Sequence, residues 1–160
     1  MLAAFIAEFS PNRSEPDEED EVQKRVINVD GSSTLYAVGI GVILKSPEGD
    51  KLKYAARLQY QTNNNEVEYE AFLKGLELAK SLGVESVLIQ GDSQLIINQV
   101  NGMYEAKESQ MKKYLNKVRQ LVKKFKEANF VQLLREENME ANALVKATST
   151  REPMDEFDKV

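Results

Sequence analysis

The chain has 160 residues, 42% of them hydrophobic and 29% charged, a net charge of −5, and neither cysteine nor histidine. That length suits one domain with modest tails. The two missing residue types exclude disulfides, thiolate or imidazole zinc sites, cysteine nucleophiles, Ser-His-Asp triads and any histidine general base. Any chemistry must therefore rest on carboxylates, lysine, tyrosine, serine or a metal held by oxygen. No apolar run reaches the length of a membrane span. Residues 1–10 lack a basic segment and contain Glu8, so no secretory signal is expected and an intracellular location, cytoplasmic or nuclear, is. The charge is unevenly spread. Residues 15–21 (EPDEEDE) are an acidic block, whereas residues 107–126 hold seven Lys and one Arg against a single Glu. The acidic average argues weakly against a nucleic-acid partner, and the basic segment argues for one.

Taken in chain order, Leu2, Phe5, Ile6 and Phe9 recur at helical spacing, so residues 1–10 are expected to carry a short amphipathic helix. Residues 11–23 read as an acidic, proline-containing linker. The globular part is expected over 24–150, with 151–160 a tail. RVINVD (25–30) is a short apolar strand ending in an acid, followed by GSS as a turn. Residues 36–45 form a second strand whose glycines, Gly39 and Gly41, admit a close approach of backbone or ligand. SPEGD (46–50) is a turn, and 51–60 a third strand, giving an antiparallel meander. NNNE (63–66) caps a helix whose apolar face includes Val67, Ala71, Leu76, Leu78 and Ala79 and which Gly83 closes. SVLIQ (86–90) is a buried strand, then GDS and a helix over 94–100. Residues 109–127 carry a continuous apolar stripe of Met111, Tyr114, Leu115, Val118, Leu121, Val122 and Phe125, which predicts a helix. A last strand follows at 130–134 and a last helix at 137–148. Three strands in a row, then strands alternating with helices, predict an α/β fold: a mixed five-stranded sheet, its first three strands antiparallel, flanked by helices.

The isolated acids fall at informative places. Asp30 and Asp92 each close a buried strand, at the end where α/β sheets bind ligands. Glu68 lies one turn into the helix that follows the third strand. Acids from three separate elements can converge there, and clustered carboxylates call for a hard divalent cation. Taken singly, Asp-Gly after a strand also suits a turn, and Asp-Ser before a helix also suits an N-cap.

Four segments together resemble a known family. VDGSS (29–33), NNEVEYEAFLKGLELA (64–79), GDSQLIINQV (91–100) and REENMEANAL (135–144) resemble, in order and spacing, the motifs of type 1 ribonuclease H. SPEG, NNEVEYEA, DSQLIINQVNGMYEAK and REEN are similar to the ribonuclease H domains of plant gypsy-type LTR retrotransposon polyproteins. LAAFIAEF (2–9) resembles the end of the connection region that precedes such domains, which makes a reverse transcriptase domain of the same polyprotein an expected partner.

The resemblance implies a ribonuclease H-like fold and metal-dependent endonucleolytic hydrolysis of the RNA strand of RNA–DNA hybrids. By motif, the catalytic and metal-binding set falls on Asp30, Glu68, Asp92 and Asn142. The implied cofactor is a pair of Mg2+ ions, with Mn2+ as substitute. Asp30 would be shared by the two ions, Glu68 and Asp92 would serve the leaving-group side, and residue 142 the water side. The last position departs from the family: its pattern has an acid where this chain reads ANAL (141–144). Asn142 keeps an oxygen ligand and loses a charge, so the alternative is an impaired module that binds nucleic acid or serves a structural role. Hybrid recognition by the family falls here on Gly31, Ser32, Asn64, Asn65, Ser93 and Gln94, each of which also suits a cap or a turn. Lys112, Lys113, Lys117, Lys123 and Lys124 are candidates for phosphate contact or for a solvated helix face.

Overall fold

The computed structural model describes residues 24–33, 37–59 and 62–150, with side chains through residue 148. The expected helix at 1–10, the linker at 11–23, the tail at 151–160 and the strand ends at Tyr36 and Tyr60 lie outside the described residues.

Five strands pair in the order β3-β2-β1-β4-β5. They are β1 (Arg25–Ser33), β2 (Val38–Lys45), β3 (Lys51–Leu58), β4 (Ser86–Gly91) and β5 (Glu127–Gln132). β1, β2 and β3 are antiparallel, whereas β4 runs parallel to β1 and β5 parallel to β4. β2 is buried along almost its whole length, which explains its near-continuous apolar sequence VGIGVILK. β3 is one of the two edge strands and exposes Lys51 and Lys53 in alternation, a pattern that discourages edge pairing. Between them SPEGD turns as expected: Gly49 takes φ +100 and the Asp50 N–H donates to Ser46 Oγ at 3.0 Å.

The helices are α1 (Asn64–Ser81), α2 (Gln94–Val100), α3 (Ser109–Val122) and α4 (Met139–Thr150), with a 3-10 turn at Arg135–Asn138. Asn63 caps α1, its side chain accepting from the Glu66 N–H at 2.8 Å. α1 covers β1 and β2 on one face of the sheet and carries α3 against its outer side; α4 covers β2, β1 and β3 on the other face. Val67, Ala71, Leu76 and Ala79 are buried as the spacing predicts, and Leu78 is half-buried. Tyr69, Phe72 and Leu73 are buried too, because α1 is enclosed by the sheet below and α3 above.

Boundaries differ from the sequence expectation in three places along the chain. Gly31, Ser32 and Ser33 do not turn; they continue β1 opposite Ile40, Gly39 and Val38. A local turn signature gives way to a complete ladder partner. The helix expected to reach residue 127 stops at Val122, and β5 begins at Glu127 instead of 130 and ends at Gln132 instead of 134. The parallel ladder sets this: Glu127 lies opposite Ser86, and the Lys126 N–H donates to Glu85 O at 2.8 Å. Phe125 stays buried outside the helix. The last helix begins two residues later than expected, after the 3-10 turn, and runs to Thr150.

Candidate active site

Two glycines on adjacent strands decide what meets Asp30. Asp30 is opposite Gly41 in the β1–β2 ladder. A Cβ built on Gly41 would lie 2.8 Å from Ala141 O and 2.9 Å from Leu144 Cβ, so α4 approaches the sheet this closely only over glycine. That approach brings Asn142 to Asp30. With its amide nitrogen turned toward the acid, Asn142 donates to Asp30 Oδ2 at 2.7 Å and to Oδ1 at 3.2 Å. Gly31 faces the other side of the sheet, since successive residues alternate. A Cβ there would lie 2.6 Å from Val67 O and 3.1 Å from Glu68 N. The first turn of α1 therefore rests on Gly31 and presents Glu68 to the same end of the sheet. The Ser33 N–H donates to Asn64 Oδ1 at 2.9 Å and the Ser33 hydroxyl donates to the Thr62 carbonyl, fixing β1 to the start of α1.

Asp92 follows the last residue of β4, and Ser93 caps α2 by accepting from the Ile96 N–H at 3.3 Å. One carboxylate oxygen from each of Asp30, Glu68 and Asp92 lies within 4.8 Å of the other two. Burial, then the charge of Asp92, pushes Asp30 up to about 7, while Arg135, the Gly31 N–H and Lys146 pull it back. Burial, then Asp30 and Asp92, pushes Glu68 up to about 8, opposed by Arg135 and the Gly31 N–H. Glu68 Oε1 is buried without a hydrogen-bond donor. An orphaned buried oxygen, two acids driven toward protonation and three converging carboxylates fit a hard divalent cation with oxygen ligands.

Asn138 belongs to this site and was not singled out from the sequence. It is buried, donates from Nδ2 to Val29 O at 2.9 Å and to Asp92 Oδ2 at 3.4 Å, and accepts from Asn28 Nδ2 at 3.4 Å. Asn28 also donates to Gln90 Oε1 at 3.3 Å. Asn138 thus ties β1 and β4 to the turn before α4 and steadies Asp92. Its sequence signal is modest: one uncharged polar residue in a charged turn, four positions before Asn142.

The residues expected to meet nucleic acid divide into two groups. Gly31, Asn64 and Ser93 have structural partners, as given above. Ser32 is half-buried at the end of β1, and Asn65 and Gln94 are exposed at the first turns of α1 and α2. Lys112, Lys113, Lys117, Lys123 and Lys124 are all exposed on α3 or just beyond it. Lys117 and Lys124 line a groove of 650 Å³ with Tyr54 and Leu73 that none of the three clustered acids reaches.

The raised acids carry a stability consequence. Their folded-state values, about 7 and about 8, exceed the ordinary 3.8 and 4.5, so the folded protein holds more protons across that interval. Their stabilising contribution is complete below the ordinary carboxylate range and is lost as pH rises through about 7 and 8. Melting of the metal-free protein is expected to fall between about pH 5.5 and about pH 8.5, and a hard divalent cation to restore it most at the alkaline end, where the carboxylates are charged. A metal-free Tm that climbs over that range would contradict the assignment.

The profile of a family described as reverse transcriptase-like matches residues 28–148. The structure is similar to that of LC11-RNase H1, isolated from compost by a metagenomic approach and solved in complex with an RNA/DNA hybrid: TM-score 0.71 and 31% identity, over 78% of this chain and 95% of that one. This chain belongs to the ribonuclease H-like family. RNase H1 from the archaeon Halobacterium salinarum resembles this ribonuclease H-like chain with TM-score 0.73 and 25% identity, over 77% of this chain and 95% of that one. By sequence, ribonuclease HI of the same organism is 27% identical over 105 residues, 66% of this chain and 53% of that protein. The ribonuclease H-like chain spans about half the length of the curated relatives it matches. The foamy virus protease-reverse transcriptase in complex with an RNA/DNA hybrid is 14% identical with TM-score 0.68, over 87% of this chain and 22% of that one, a likeness of fold alone.

Among the described residues, no helix is long and apolar enough to cross a membrane.

Proposed function

We propose that this ribonuclease H-like domain hydrolyses the RNA strand of RNA–DNA hybrids, with two magnesium ions held by Asp30, Glu68, Asp92 and Asn142 and with manganese as a substitute. The observation that carries the reading is the convergence of the three carboxylates within 4.8 Å at one end of the sheet. The family supports it, since one similar structure holds an RNA/DNA hybrid. Bound divalent cations supply Lewis acidity and an acidified water, which phosphodiester hydrolysis needs and which this histidine-free chain lacks in its own side chains.

The chain's residues do the holding. Asp30 would be the shared ligand: Asn142 meets it, the charge of Asp92 bears on it, and its own charge bears on Glu68. By the family correspondence, Glu68 and Asp92 would serve the leaving-group side. Asn142 would serve the water side, and to do so would have to turn its amide so that Oδ1 and not Nδ2 faces the ion, giving up its two hydrogen bonds to Asp30. Asn138 keeps Asp92 in position. The Gly31 backbone, Ser32, Asn64, Asn65, Ser93 and Gln94 read the 2′-hydroxyls of the RNA strand and the adjoining sugars. The exposed lysines of α3 meet backbone phosphates. We place the domain's origin in a retroelement polyprotein of the plant gypsy type, beside a reverse transcriptase, and its work inside the cell.

The test is cleavage of a labelled RNA–DNA hybrid, beside duplex DNA and duplex RNA, with magnesium and with manganese. Cleavage confined to the RNA of the hybrid is expected. The Asn142 amide donating to Asp30 favours a second reading, a module that binds hybrids without cutting them. Binding without cleavage in either metal, by the wild type and by Asn142→Asp alike, would establish that reading and overturn the first.

A further inference from the structure

Beside the carboxylates lies a cleft that holding metal does not explain. It has a volume of 420 Å³ and is lined by Arg135, Glu136, Met139, Asn142, Ala143 and Lys146. That volume falls within the range of small-ligand clefts, roughly 300–1,000 Å³. Arg135, Met139, Asn142 and Lys146 recur three or four residues apart, so the 3-10 turn and the first two turns of α4 present them on one side.

Its chemistry is that of an anion seat with an apolar floor. Arg135 and Lys146 both act electrostatically on Asp30, and Arg135 acts on Glu68 as well, so both cations border the carboxylate cluster. Asn142 stands between them in sequence and is neutral, whereas a carboxylate at that position would repel a bound anion. Met139 is 64% exposed and the neighbouring Leu134 60% exposed, large apolar groups left open beside two cations. Arg135 offers a planar fork of donors and Lys146 a compact charge, two forms that suit phosphate oxygens. Glu136 is the acid of the rim.

The geometry points to this cleft as a seat for a backbone phosphate and its sugar, belonging to the nucleic-acid strand that lies in the carboxylate site, with Arg135 and Lys146 on the phosphate and Met139 against the sugar. The seat rests on the nucleic-acid reading of the site given above. It adds a positioning function for α4 that the four ligand positions do not supply.

The test is equilibrium binding of a fluorescent RNA–DNA hybrid in EDTA, where no turnover occurs, repeated in magnesium. Lys146→Gln is expected to weaken binding about tenfold, the usual worth of one charge-assisted hydrogen bond. It should also reduce the slope of log affinity against log salt by roughly 0.7–0.9, one phosphate contact. Lys146→Arg should retain most of the affinity, and Glu136→Gln should tighten binding. The decisive arm replaces single phosphates of the hybrid by neutral methylphosphonates. One position near the cleavage point should weaken the wild type about tenfold and leave Lys146→Gln indifferent. A merely structural role for Lys146 would leave that substitution equally costly in both proteins, and this outcome overturns the seat. A wild type that binds the hybrid while Lys146→Gln matches it also overturns the seat and spares the reading beneath it. A wild type that binds no hybrid in either condition removes both.

Discussion

Replacing Asp30 with asparagine is expected to reduce hybrid cleavage by on the order of 10³-fold or more, while raising the melting temperature of the metal-free protein at about pH 8. The two effects have one origin. Asp30 is 7% exposed, and its charge bears on the half-buried Glu68 as that of Asp92 bears on both. At alkaline pH three carboxylates share a partly dry site, offset among the described residues by Arg135, Lys146, backbone donors and the amides of Asn138 and Asn142. Removing the central charge relieves that repulsion, and the substituted amide still offers an oxygen to the Asn142 amide. The metal-free Tm should rise by roughly 2–6 °C, and its fall with increasing pH should flatten. The same change removes the shared ligand, so magnesium should no longer raise the Tm as it does for the wild type. Cleavage rates on one hybrid, with melts in EDTA and in magnesium at two pH values, separate the claims. A variant that cuts at a comparable rate would show that Asp30 is not the shared ligand. A variant that cuts poorly and also melts lower without metal would show a structural role instead.

The convergence of the acids could be read from the sequence because each announces its own position. Asp30 and Asp92 end apolar runs, and Glu68 follows a run of asparagines one turn into a helix. Where a strand and a helix start largely fixes where such a side chain emerges, so local signals suffice. The antiparallel meander could be read for the same reason, since three consecutive strands pair as neighbours; that β4 and β5 add beside β1 and not beside β3 could not. What the sequence could not supply were features whose cause lies far along the chain. Gly-Ser-Ser is a turn until β2 is known to continue beside it. The end of α3 depends on β5 finding its register against β4, and no pattern inside residues 109–127 records that. Asn138 sits in a charged turn and resembles a solvated residue, yet it is buried against Asn28, 110 positions away in sequence. Gly39 and Gly41 signalled a close approach, and the approaching group proved to be the backbone of α4 over Gly41 and the side chain of Thr148 over Gly39. The lysines of α3 show the opposite limit. Their exposure was evident from the helical stripe, but exposure alone does not decide between phosphate contact and simple solvation.

Asn142→Asp is expected to increase hybrid cleavage and to lower the magnesium concentration needed for half-maximal rate by about tenfold, the worth of roughly 1.4 kcal/mol in ion affinity. The wild-type amide has two costs at this position. It contributes no charge to the ion's surroundings, and it must abandon hydrogen bonds of 2.7 and 3.2 Å to Asp30 before its oxygen can turn inward. A carboxylate removes both costs, because either oxygen can face the cation and the full negative charge attracts it. The gain has a counterpart in the metal-free protein. A fourth carboxylate would replace a donor to Asp30 with a repelling charge, so the Tm in EDTA should fall, most at alkaline pH, and magnesium should recover more than the wild type regains. Asparagine and aspartate are nearly isosteric and similar in helix propensity, so α4 itself should be unaffected. Manganese binds nitrogen and oxygen ligands more tightly than magnesium and should narrow the difference between the two proteins. Paired metal titrations of cleavage rate on a single hybrid, with melts in EDTA, read every part of this. Coincident titration curves would mean that residue 142 does not face the ions. Lower metal demand without a lower metal-free Tm would mean that the Asn142 amide does not donate to Asp30 in solution, and that the carboxylate acts through its charge alone.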